Sequence, residues 1–78
     1  MSRGIPLTRA HRELIAREMG RQGLTQAALA EACKMSQPTV QRILAGVDDP
    51  SWVSLTAICG ALELGFAWSG KLSLHVEA

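Results

Sequence analysis

Residues 25–46, TQAALAEACKMSQPTVQRILAG, constrain this chain more than any other stretch, because their spacing is that of two short helices joined by a tight turn. Thr25 is a good N-cap, since its hydroxyl can accept a bond from an orphan N–H of the first turn. Leu29, Ala30 and Cys33 then fall on one helix face at steps of three and four. Lys34, Met35 and Ser36 interrupt the pattern, and Ser36 is a second N-cap. Pro38 sits just inside the next helix, where its missing N–H costs nothing. Val40, Ile43 and Leu44 face inward, which leaves Gln37, Thr39, Gln41 and Arg42 outside, and Gly46 is a helix stop. Gln and Arg carry paired hydrogen-bonding atoms that match adenine and guanine edges in the DNA major groove. A merely solvated face would more often carry Glu and Lys.

On these residues the stretch resembles the helix-turn-helix of the lambda-repressor/Cro (XRE) family. LTQAALAEA is similar to the family's first motif helix, SQPTVQRILAG to its recognition helix, and Pro50-Ser51 to the run-in to its next helix. The likeness covers about residues 9–64. It implies a mainly α fold, a compact bundle of four or five helices, here followed by a short β hairpin. Gln37, Pro38, Thr39 and Arg42 match family positions that read base edges, with Gln41 adjacent to them. Gln26 matches a position that anchors to the phosphate backbone. Thr25, Ser36 and Lys34 flank it at the helix ends and in the turn, and are assigned to the backbone as well. Pro38 can offer only an apolar contact, such as one to a thymine methyl.

Two positions depart from the family pattern. The turn usually carries Gly and here carries Lys34, so a non-Gly residue is expected at positive φ, at a cost of order 1 kcal/mol. A Glu that the family often pairs with a basic residue of the first helix is replaced by Leu44, opposite Met19, so an apolar contact is expected there instead.

The net charge of +1 argues against a polyanion partner until its distribution is considered. Residues 1–46 hold seven basic against three acidic side chains, and residues 47–78 hold one against four. That asymmetry suits one DNA-facing end. Seventy-eight residues make a single domain that is marginal alone, for which oligomerisation is one remedy. No apolar run reaches the roughly 18 residues of a membrane span, and the N-terminus has no signal-peptide pattern, so a cytoplasmic location is expected.

Residues 1–7, with Gly4 and Pro6, read as a flexible arm. Its Arg3 could reach a phosphate or a minor groove. Thr8 caps a first helix that runs to about Gln22, with Leu14, Ile15 and Met19 as its apolar stripe, and Gly23 ends it. Ser51 caps a fourth helix, whose inward stripe is Trp52, Leu55, Ile58, Cys59 and Leu62. Asp48 and Asp49 suit its dipole, and Gly60 leaves room for close packing.

From residue 65 the pattern alternates with period two, which signals a hairpin. A two-residue loop would set Phe66 and Trp68 opposite in face to Leu72 and Leu74. A three-residue loop over 69–71 aligns Leu64, Phe66, Trp68, Leu72, Leu74 and Val76 on one face, which is the cheaper solution to bury. The division expected is thus arm 1–7, helical bundle 8–64 and tail 65–78. Phe66, Trp68, Leu72, Leu74 and Val76 are assigned to a dimer interface, with β-strand pairing between two copies; folding of the hairpin back on helices one and four is the alternative.

His11, His75, Cys33 and Cys59 lie at no zinc-site spacing, so no metal or other cofactor is expected. With no paired acid and base and no phosphate loop, an enzyme is not expected either. The expected function is sequence-specific binding of double-stranded DNA by a homodimeric, repressor-like transcription regulator on a palindromic operator. The tail resembles that of Hip-module antitoxins. The rival function is therefore an antitoxin-type interaction module that neutralises a toxin protein, with or without DNA binding.

Overall fold

Four short hydroxyl side chains start the four helices. The computed structural model describes residues 4–76, in which Arg9–Gln22 (α1), Gln26–Cys33 (α2), Gln37–Ala45 (α3) and Trp52–Leu62 (α4) precede the strands Leu64–Trp68 (β1) and Leu72–Val76 (β2). Thr8, Thr25, Ser36 and Ser51 are the N-caps, each accepting a backbone N–H three residues on. At α1 the cap is reciprocal, since His11 Nδ1 accepts the Thr8 N–H at 3.1 Å and takes the place of the usual Glu or Gln.

Each helix ends on a left-handed residue: Gly23, Lys34, Gly46 and Glu63. Lys34 adopts φ 57°, so the non-Gly turn keeps the left-handed shape that glycine would take. Its neighbour Met35 donates to the Ala30 carbonyl at 2.9 Å, closing a Schellman motif.

The core forms where α2 packs on α3 and α4 while α1 lies across both. Ile15, Leu29, Val40, Leu55, Ile58 and Leu62 are fully buried there. Met19 is buried and Leu44 half-buried in this same cluster, so apolar packing fills the place of an ion pair. Two expectations fail in α4. Trp52 is 41% exposed and turns toward the hairpin. Gly60 is exposed, with open space where a Cβ would stand, so it mediates no close packing.

The N-terminal segment is also corrected. Residues 1–3, with Arg3, lie outside the described residues, but Ile5 and Leu7 are buried in the core. The Ile5 N–H donates to the Pro50 carbonyl at 2.6 Å, and Pro50 is itself fully buried. Two apolar side chains in the core and one backbone bond to the α3–α4 loop hold this segment, so residues 5–7 are not a free arm.

β1 and β2 pair antiparallel with Leu64 opposite Val76, Phe66 opposite Leu74 and Trp68 opposite Leu72. The loop is therefore the three-residue one, with Gly70 at φ 75°. All six apolar side chains share a face, and β1 lies on α4 while β2 reaches α1. No helix among the described residues is long and apolar enough to cross a membrane.

Candidate nucleic-acid interface

The cap chemistry of α3 fixes what it presents. The Ser36 hydroxyl accepts the Thr39 N–H at 3.2 Å and lies 2.7 Å from the Thr39 hydroxyl. Val40 and Ile43 anchor the inner face. The structure accordingly brings Gln37, Pro38, Thr39, Gln41 and Arg42 together, all exposed on one nine-residue helix. Gln37 with Gln41, and Pro38 with Arg42, are i,i+4 neighbours along its surface.

The residues assigned to the DNA backbone surround this helix. Thr25 caps α2 through Ala28, at 3.0 Å, and Gln26 is half-buried in its first turn. Lys34 and Ser36 are exposed in the turn between the two helices. The N-termini of α2 and α3 add the partial positive charge of their unpaired N–H groups.

The basic face is less free than its charge count indicates. Arg12 donates through Nη1 to the Leu7 carbonyl at 2.6 Å and packs against Gly46, where an added Cβ would stand 3.0 Å from its Cζ. Arg21 pairs with the buried Glu18, and its hydrogen bond holds that carboxyl below the usual range. Gln22 adds a bond to Glu18 and donates to the Leu62 carbonyl at 2.8 Å, tying α1 to the end of α4. Arg17 and Lys34 form no ion pair among the described residues.

Asp48 is the site residue that sequence reasoning missed. Its carboxylate accepts from Arg42 Nε at 2.6 Å and from Arg42 Nη2 at 3.3 Å. This bond lowers the Asp48 pKa and raises that of Arg42, so both stay charged. Its position alone suits the α4 dipole. No residue pattern signals a partner six positions back, across a helix end.

The five residues assigned to a dimer interface divide in two. Phe66, Trp68 and Val76 are exposed, at 40%, 51% and 46%. Leu72 is only 5% exposed and Leu74 is half-buried, because β2 packs onto α1 of its own subunit. Leu72 therefore belongs to the fold rather than to a free surface.

No three His, Cys, Asp or Glu side chains cluster in metal-binding range among the described residues. Burial pushes the Cys59 thiol up to about 11 and raises that of Cys33, so neither is a reactive thiolate at neutral pH.

Two capped helices, a tight turn and a polar outward face on the second define a helix-turn-helix protein. The profile of the helix-turn-helix domain family matches residues 9–66, and the chain belongs to that family. Comparison with curated proteins gives no match.

Proposed function

We propose that this protein is a sequence-specific DNA-binding transcription regulator of repressor type, acting as a homodimer on a palindromic operator. The observation that carries this reading is the exposed set on α3: Gln37, Pro38, Thr39, Gln41 and Arg42 stand clear of the core on a helix capped at both ends. In such proteins the second motif helix enters the major groove, and a twofold dimer sets two of them about 34–36 Å apart. The likeness of LTQAALAEA and SQPTVQRILAG to lambda-repressor/Cro sequences supports placing it there rather than elsewhere among helix-turn-helix proteins. The exposed Phe66, Trp68 and Val76, beside the unpaired edge of β2, offer a surface for a second copy. Binding rather than catalysis, in a cytoplasmic setting and without a cofactor, completes this reading.

A gel-shift with a pool of random duplexes at about 50 and 200 mM salt tests it, because phosphate contacts release counterions and affinity must fall steeply with salt. Retention that ignores salt, or that enriches no sequence, would overturn the assignment.

A second reading is favoured by the same apolar surface. Trp52 and Val53, the latter 80% exposed, extend the patch of Phe66 and Trp68 beyond what α3 needs. An antitoxin-type module would dock a toxin protein there. A Val53→Ser variant that keeps salt-dependent duplex binding separates this patch from the DNA-binding face, whereas duplex retention by the wild type that ignores salt favours the interaction module without DNA binding.

A further inference from the structure

Arg42 and Asp48 are joined at both backbone and side chain. The Schellman closure at Gly46 turns the chain back on α3, so that the N–H groups of Val47 and Asp48 both donate to the Arg42 carbonyl, at 3.0 and 3.3 Å. The same turn delivers the Asp48 carboxylate to the Arg42 guanidinium. Two residues further on, the loop is pinned by buried Pro50 and its bond from Ile5. The carboxylate therefore stands on a fixed backbone, and it limits where the Arg42 side chain can go.

The atoms used are informative. A guanidinium carries five N–H donors, one on Nε and two on each Nη. Asp48 takes the Nε edge and one side of Nη2. Nη1 has no partner among the described residues, and with the remaining Nη2 donor it forms the end-on fork. That fork matches the O6 and N7 acceptors of guanine.

Resting on the DNA-binding reading above, we propose that Asp48 is a positioning residue for base recognition. It holds Arg42 by one edge so that the other is presented ready-made to a guanine. A guanidinium held in this way reads one base pair. A mobile one would reach any nearby phosphate. The negative charge of Asp48 also disfavours phosphate oxygens at that point, so it lowers affinity for duplex of arbitrary sequence while sharpening the choice of base. A carboxylate that merely masked Arg42 would instead weaken binding to every duplex alike.

The test uses the full chain, a duplex pool with a random central segment, and one fixed alternating A·T duplex as the measure of background. The variants are Asp48→Asn, Asp48→Glu, Arg42→Ala and the double variant Arg42→Ala with Asp48→Asn. The wild type is expected to enrich guanine at one position of each half-site. Asp48→Asn should lose about tenfold of that preference, the scale of one bidentate pair, and bind the A·T duplex more tightly. Asp48→Glu, which can remake the bond, should recover most of the preference. In the Arg42→Ala background, Asp48→Asn should change base preference no further. An Asp48→Asn variant that keeps the guanine preference, or that gains affinity equally for all duplexes, overturns the proposal while leaving the DNA-binding reading intact. A wild type that enriches no sequence overturns both.

Discussion

The rings of Trp52 and Trp68 meet edge to face, with centroids 5.8 Å apart and planes at 79°. Phe66 joins them at 6.0 Å from Trp52. These contacts link the first turn of α4 to the end of β1, because Glu63 in the left-handed region reverses the chain and sends the strand back along the helix. The hairpin is thus held at both ends, by Leu64 in the core and by this aromatic group near its tip.

Trp52→Ala should loosen the tip without opening the core. Each aromatic pair contributes about 0.5–1.5 kcal/mol beyond its area. A loss of about 1–3 kcal/mol is expected in urea denaturation, together with loss of near-ultraviolet circular dichroism. An unchanged midpoint would mean that Leu64 and Leu72 alone dock the hairpin.

Fold and assembly separate within one strand. Leu72→Ala removes a buried side chain and should destabilise the subunit by about 2–5 kcal/mol. The double variant Phe66→Ser with Val76→Ser changes only exposed positions and should keep the subunit folded while weakening the dimer. Sedimentation equilibrium at several concentrations measures this. A double variant that still sediments as a dimer would move the interface away from the hairpin.

The parts of this fold that could be read from sequence were those decided within a few residues. The N-caps are short-range chemistry, the left-handed Lys34 follows from the turn it occupies, and the hairpin loop follows from the requirement to place six apolar side chains on one face. What could not be read depends on the path of the chain in space. Ile5 and Leu7 flank Pro6 in a stretch too short to show a period, so their docking beside Pro50 was invisible. Leu72 and Val76 are alike in sequence pattern and share one face of the hairpin, yet one is 5% and the other 46% exposed. Asp48 finds Arg42 only because the chain folds back at Gly46.

Arg42 and Gln26 should differ in kind when substituted. Arg42→Ala should cut affinity for the selected operator by about ten- to a hundredfold and relax preference at one base pair. Gln26→Ala should weaken all duplexes nearly alike, because a backbone contact carries no sequence information. Titration of both variants against the selected and the A·T duplex checks this. Equal losses on the two duplexes for Arg42→Ala would remove α3 from base reading.

Glu18 gives the subunit an acid-sensitive element. The hydrogen bond from Arg21 lowers its folded pKa below the ordinary value of 4.5. A lowered folded pKa stabilises the charged state, so this contribution is complete above the unfolded value and is lost as pH falls through the folded one. The stability difference between the wild type and Glu18→Gln should therefore be constant near neutrality and shrink below about pH 4.5, the unfolded value. Asp48 titrates with the same sign, but it is common to both proteins and cancels. Denaturant titrations across this range measure the difference, and a constant difference at all pH values would exclude a charged Glu18 as its source.

Lys34 and Glu63 provide a matched pair that separates strain from DNA contact. Both are non-Gly residues in the left-handed region, at φ 57° and 59°, and both close a helix. The left-handed conformation costs such a residue about 1–2 kcal/mol. Glycine relieves that cost but gives back about 0.5–1 kcal/mol through the greater freedom of its unfolded chain. Lys34→Gly and Glu63→Gly should each stabilise the subunit by about 0.5–1 kcal/mol, which is the difference of those two effects. They should diverge on DNA. Lys34 lies in the turn beside α3, so its loss removes a phosphate contact and lowers the slope of log affinity against log salt by about one. Glu63 lies at the far end of α4, next to the hairpin, and Glu63→Gly should leave that slope unchanged. Salt-dependent titrations of the two variants on one duplex make the comparison. Identical slopes for both would take Lys34 out of the interface and leave it as turn geometry alone.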